Sequence, residues 1–169
     1  MSHQILLALV AFAFVSSVTP GPNNVMLMAS GANFGMRRTL PHMLGVARGF
    51  GAMVALLGLG VDRLITGAPR VAEAMKWISL AYMLWLAWKI AHAAAPGAGR
   101  AAAKPFSFLQ AAAFQWVNPK AWMMGISAIS LFSLPGSDYW ASLWGIMSVF
   151  PMAGLPVCFA WVLFGHQLS

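Results

Sequence analysis

A chain of 169 residues that is 60% hydrophobic and only 8% charged, with a mean hydropathy of +0.76, lies far from the roughly 25% charged content of ordinary soluble domains, which excludes a water-soluble globular fold. The net charge of +7 does not mark a nucleic-acid partner, because the basic residues flank apolar runs instead of clustering with aromatics on a polar surface. The single cysteine, Cys158, stands in an apolar stretch and excludes a disulfide framework or a Cys-based metal site.

Five hydrophobic segments follow in chain order, at about 4–33, 43–65, 71–92, 106–133 and 140–165, each long enough to cross a bilayer as a helix. The expectation is an all-α membrane protein, a five-span bundle forming one transmembrane domain over residues 1–169. The first run, Ile5 to Val15, has the length of a signal peptide, but Met1 to Gln4 lacks Lys and Arg and the chain stays apolar further on; it reads as a retained helix. Span one is interrupted at Thr19, Pro20, Gly21, Pro22, Asn23 and Asn24. In span two, Arg48 is a deep cation expected to snorkel to the headgroups, and Gly45 and Gly49, extended by Gly51, Gly58 and Gly60, predict close helix packing. A Gly/Ala-rich linker from Pro96 to Lys104 separates three spans from two, and span four carries a second interruption at Val117, Asn118, Pro119 and Lys120.

Charge sets the orientation. Arg37 and Arg38, then Lys89, Arg100 and Lys104, fall on one set of connectors, whereas the other set holds Asp62, Arg63, Arg70 and Glu73, and later Asp138, with all three carboxylates on that side. Lys and Arg stay cytoplasmic, so the 34–42 and 93–105 loops are expected inside and the N-terminus outside. At about 1.5 Å per residue, residues 4–19 and 106–117 cover roughly 24 and 18 Å of a core about 30 Å thick. Both interruptions are therefore expected near the middle.

Lipid offers no water to freed backbone groups, so a broken membrane helix is tolerated inside protein or beside a polar cavity, and paired breaks in two halves point to a midplane binding site. Asn118 before Pro119, and Gly21 before Pro22, are natural helix starts. The two half-helices would present their positive ends to one cavity from opposite sides. Joined by Lys120, these ends suit a carboxylate, while carbonyls freed by Pro20, Pro22 and Pro119 suit an ammonium. The candidate substrate-binding set is thus Pro20, Gly21, Pro22, Asn23, Asn24, Asn118, Pro119 and Lys120, for a zwitterionic amino acid. The competing reading is a pair of packed kinks.

Other chemistry finds little support. His3, His42, His92 and His166 lie at span ends without metal-ligand spacing and are expected in solvent or headgroups. Asp62, Glu73 and Asp138 fall at span edges, which leaves no intramembrane aspartyl pair or proton-carrying carboxylate, and Ser127 and Lys120 stand about 10 Å apart along one helix face, too far for a hydrolytic dyad. The chain reads as neither an enzyme nor a holder of metals or cofactors. The twelve methionines read as gap-filling packing. Trp77, Trp85, Trp88, Trp140 and Trp144 read as interfacial anchors, and Trp116, Trp122 and Trp161 as candidates for the interior.

Taken together, the TPGPNN run at 19–24, the Gly35 to Arg38 turn, Gly45 and Gly49, the LAYMLWLAWK run at 80–89, FQWVNPKAW at 114–122 and the Trp161 to Leu168 stretch with Phe164 and Gly165 resemble the lysine exporter (LysE/RhtB) family of bacterial amino-acid efflux proteins. The resemblance implies a multi-pass exporter of the bacterial inner membrane, a secondary transporter working by alternating access on the proton motive force. It also implies a six-helix fold of two inverted halves, with the two motifs near the substrate path. Expected partners are a small amino-acid-like substrate and the lipid bilayer, with homo-oligomer formation left open. The chain departs from the pattern by ending after span five, without the sixth helix, and by carrying Arg48 where an uncharged residue is usual. The alternative expectation is a truncated or accessory membrane subunit without independent transport.

Overall fold

The computed structural model describes residues 1–61 and 104–168 and, between them, residues 70, 73, 74, 77, 80, 81 and 84. Most of the expected third span, 71–92, lies outside the described residues, as do Asp62, Arg63, Trp85, Trp88, Lys89, His92, Arg100 and the 96–103 part of the linker.

Helix α1 (His3–Val18) starts at Ser2, whose hydroxyl accepts the Ile5 amide at 3.3 Å. It stops at Thr19 because Pro20 brings no N–H to continue the ladder. Helix α2 (Pro22–Leu56) opens with Gly21 as N-cap and Pro22 in the first turn, the arrangement read from the sequence. At about 1.5 Å per residue a straight helix of that length would reach roughly 52 Å, well beyond a bilayer core. It is not straight: Gly35 has φ 75° and ψ 173°, a left-handed backbone open to glycine, and it folds α2 into two arms, 22–34 and 36–56. The arms lie together, since Ser30 and Thr39 share a hydrogen bond of 2.9 Å and Leu27 packs with Met43 and Val46. The expected 34–42 connector is therefore corrected to a one-residue turn. Residues 36–42 are helical, Pro41 included.

A π-helical turn, Leu57–Val61, ends with Gly60 at φ 94°. Helix α3 (Phe108–Phe114) is opened by a capping box of Ser107 and Gln110 and tightens into a 3-10 turn, Gln115–Val117. Helix α4 (Pro119–Phe132) starts at Asn118, and α5 (Tyr139–Gln167) follows a 3-10 turn at Gly136–Asp138. Segments Pro22–Gly60 and Gly136–Gln167 are long and apolar enough to cross a membrane.

Two ends can be recognised from contacts. At one, the Tyr139 hydroxyl donates to the Gly58 carbonyl at 2.5 Å and Leu143 fills the space beside Gly58. At the other, Gly35 nears His166, and His42 packs on Phe106 with ring centroids 5.4 Å apart. This second end carries Arg37, Arg38 and Lys104, all exposed, and is called the basic end below. Helix α1 and the second arm of α2 belong with α4 and the first half of α5 around Leu9, Met53, Trp122 and Ile146. A second cluster of Leu27, Met43, Val46, Ala111, Cys158 and Val162 sits toward the basic end.

Burying apolar groups away from lipid tails gains little, so close contact between helices must come from small residues and dispersion. The glycines supply it. A methyl group at Gly49 would meet the Ala112 Cα at 2.5 Å, one at Gly45 would meet the Phe108 carbonyl, and one at Gly165 would strike the Met28 carbonyl. Outward residues are as apolar as the interior: Met152 is 76% exposed and Val15 63%, surfaces suited to acyl chains.

Candidate functional site

The two interruptions meet. Gly21, Asn23, Asn24, Asn118 and Lys120 line one cavity of ≈ 70 Å³, together with Ser16, Ser17, Gln115, Phe50, Pro151 and Cys158. The space is well above the roughly 10–15 Å³ that a single water needs, so it is open to a small polar ligand or to water.

Each break is built by local chemistry. Asn118 is almost fully buried, and its Oδ1 accepts the Lys120 amide at 3.1 Å while its carbonyl accepts the Ala121 amide at 3.0 Å. That is an N-cap with proline in the first turn, which satisfies an amide that lipid would leave bare. The α2 start has no side-chain cap, so the Asn23 and Asn24 amides in its first turn keep the positive end of that arm open beside the cavity. From Pro22 the first arm of α2 runs toward the basic end. From Pro119 helix α4 runs the other way, bringing Gly125 to Leu57 and Phe132 to Phe12. The half-helix starts thus address one space from opposite sides.

Asn24 binds back across its own break, its Nδ2 donating to the Ser17 carbonyl at 2.8 Å and the Thr19 carbonyl at 3.1 Å. The Lys120 ammonium also donates to the Thr19 carbonyl, tying α4 to the first break. Of the carbonyls at the first break, those of Ser17 and Thr19 already bind side chains of the chain itself, whereas those that Pro20 and Pro22 leave without an i+4 amide are Ser16 and Val18. Gly21 is extended, at φ −168° and ψ 178°, a conformation any residue adopts. Its glycine identity concerns space, because a Cβ would fall 2.7 Å from the Lys120 Cδ and 3.2 Å from its Nζ. Pro20, Pro22 and Pro119 shape the breaks without lining the cavity.

Gln115 was not singled out from the sequence. It is wholly buried in the turn before Asn118 and forms a reciprocal amide pair with Asn23: Asn23 Nδ2 donates to Gln115 Oε1 at 2.9 Å, and Gln115 Nε2 donates to Asn23 Oδ1 at 3.2 Å. The signal was present as an amide inside an apolar span. Pro151 in the cavity wall and Pro156 beyond it, both inside α5, were likewise passed over. His42 needs correction too: it is 2% exposed, inside α2, and neither ring nitrogen has a hydrogen-bond partner. Arg48 is exposed and off the cavity wall. Trp122 is buried, donating to the Trp116 carbonyl at 3.0 Å, whereas Trp161 is half-buried and Trp116 is exposed. Among the described residues no cluster of His, Cys, Asp or Glu forms a metal site.

The sequence pattern of the LysE type translocators matches residues 14–164, a stretch that includes both breaks and every helix but the first turns of α1 and the last residues of α5. The chain belongs to the LysE family. Similar relatives of this translocator are the cysteine/O-acetylserine efflux protein of Escherichia coli (strain K12) and those of Shigella sonnei (strain Ss046) and Shigella flexneri, each 33% identical over 167 residues, covering 98% of this chain and 85% of the relative. No solved structure matches it. As a LysE translocator it is an all-α membrane protein that moves its substrate, and it is not an enzyme.

Proposed function

We propose that this LysE-family chain is a single-domain secondary exporter of the bacterial inner membrane, residues 1–169, carrying a small zwitterionic amino acid of the cysteine or O-acetylserine class outward by alternating access. The observation that carries the reading is the convergence of both helix breaks and Lys120 on one cavity lined by Ser, Asn and Gln side chains. The substrate class comes from the efflux relatives. The basic end faces the cytoplasm and the N-terminus lies outside, in keeping with Arg37, Arg38 and Lys104 at that end.

The proposed set is Gly21, Asn23, Asn24, Asn118 and Lys120 at the cavity, with Pro20, Pro22 and Pro119 shaping the breaks that present them. Lys120 and the uncapped first-turn amides of α2 hold the carboxylate, a pairing of cation and helix N-terminus that needs no further charge. With the Ser17 and Thr19 carbonyls engaged, the ammonium falls to the Ser16 carbonyl that Pro20 leaves without an amide and to side-chain oxygens. Ser16 is suited to this, because its hydroxyl donates to the Phe12 carbonyl at 2.6 Å and keeps its lone pairs for the cavity. Small walls from Gly154 and Ala47 favour a short side chain.

Efflux of radiolabelled cysteine, O-acetylserine, threonine, leucine and lysine from vesicles containing the chain tests the reading. Selective, unaltered release of the short polar amino acids is expected, and it should disappear in Lys120→Ala. Equal release from vesicles lacking the protein, or full activity of that variant, refutes the proposal.

A further inference from the structure

The breaks divide the cavity wall into two sides, and a different polar contact crosses each. Asn23 follows the first break on the arm leading to Gly35, and Gln115 precedes the second break at the end of α3; both elements lead to the basic end. Their amide pair joins positions 92 residues apart. Thr19 and Lys120 lie on the other side of their respective breaks, and the ammonium-to-carbonyl contact joins them there. Below the amide pair, toward the basic end, the way is filled by Leu27, Met43, Val46, Ala111 and Val162.

We propose that the Asn23–Gln115 pair is the latch that closes the cavity on the basic-end side, and that Gln115 is a gating residue of transport. The inference rests on the exporter reading above. Two neutral amides facing each other exchange one donor and one acceptor in each direction, so both bonds can be surrendered to a zwitterion, which brings acceptors on its carboxylate and donors on its ammonium. A reciprocal pair therefore opens without stranding a buried polar group. A salt bridge would resist such exchange and an apolar contact would offer nothing to it. Gln115 is held for the purpose, since its Nε2 also donates to the Ala111 carbonyl at 2.9 Å within α3.

Cys158, the only cysteine in the chain, lines the cavity and belongs to the basic-end cluster, so its reaction with a charged, membrane-impermeant thiol reagent reports opening. The basic-end face is identified separately with an Arg38→Cys reporter in a Cys158→Ala background, Arg38 being exposed. Loss of two ordinary hydrogen bonds shifts a closed–open balance by about tenfold or more. Asn23→Ala and Gln115→Ala are each expected to raise Cys158 labelling by that factor from the basic-end face only, with no further rise in the double variant. Unchanged labelling, an equal rise from both faces, or full additivity overturns the latch. If either alanine variant fails to fold, Gln115→Glu, which keeps the shape and the acceptor but not the amide donor, is expected to raise labelling likewise, and an unchanged rate there overturns the proposal. The labelling needs no transported substrate. Basic-end opening without amino-acid efflux refutes the exporter reading alone, whereas efflux with unaltered labelling refutes the latch alone.

Discussion

Replacing Lys120 with methionine keeps the stem that packs on Gly21 and removes the charge. Two terms oppose each other in stability. The ammonium donates to the Thr19 carbonyl, and a charged hydrogen bond contributes about 1.5–3 kcal/mol net; against it, a cation in mid-span costs about 2.5–3.5 kcal/mol. The Thr19 carbonyl is not stranded by the change, because Asn24 Nδ2 still donates to it at 3.1 Å. The terms cancel to within about 1–2 kcal/mol, and at about 2–4 °C per kcal/mol for a chain of this size the melting temperature in detergent should move by only a few degrees. Transport should respond differently. If the same ammonium holds the substrate carboxylate, its loss weakens binding by about 10- to 150-fold, read as efflux of O-acetylserine from proteoliposomes over a range of internal concentrations. Two results refute the reasoning: a melting temperature lowered by more than about 10 °C, beyond what the cancellation allows, or efflux at low substrate within about twofold of the parent chain, far less than a charged hydrogen bond would give.

Asn118→Ala removes the cap of α4 and should lower stability by about 1 kcal/mol, within the usual 0.5–2 for such caps, together with efflux, since Lys120 rides on the freed turn; thermal melting and vesicle efflux of the same preparation check both. Gly165→Ala drives a methyl into the Met28 carbonyl and should destabilise by about 1–3 kcal/mol or more, seen as a loss of monodisperse protein, whereas Gly51→Ala, with nothing within 4 Å of the new atom, should be indistinguishable from the parent. His42→Leu exchanges a buried imidazole without hydrogen-bond partners for an apolar group, and because each stranded polar atom costs about 1–3 kcal/mol, the melting temperature should hold or rise. A marked fall would show that the ring has a partner.

Much of this protein follows from local rules that the sequence alone carries. Proline has no N–H, so breaks at Pro20, Pro22 and Pro119 are properties of the chain wherever it folds, and asparagine before proline starts a helix at Asn118 for reasons contained within three residues. Composition likewise determines that the helices face lipid. Gly35 is an intermediate case: glycine in a polar stretch announces a turn, but that one residue suffices, leaving Arg37 to His42 helical, depended on Ser30 and Leu27 finding Thr39 and Met43 across it. What only the tertiary structure decided is which groups meet over distance. The Thr19 carbonyl found Lys120, 101 residues away, and Asn23 found Gln115, 92 residues away. Amides and carbonyls in a low-dielectric interior must be satisfied by something, yet no local rule names the partner, and Gln115 looked like one polar residue in an apolar run until the two breaks were brought to the same cavity.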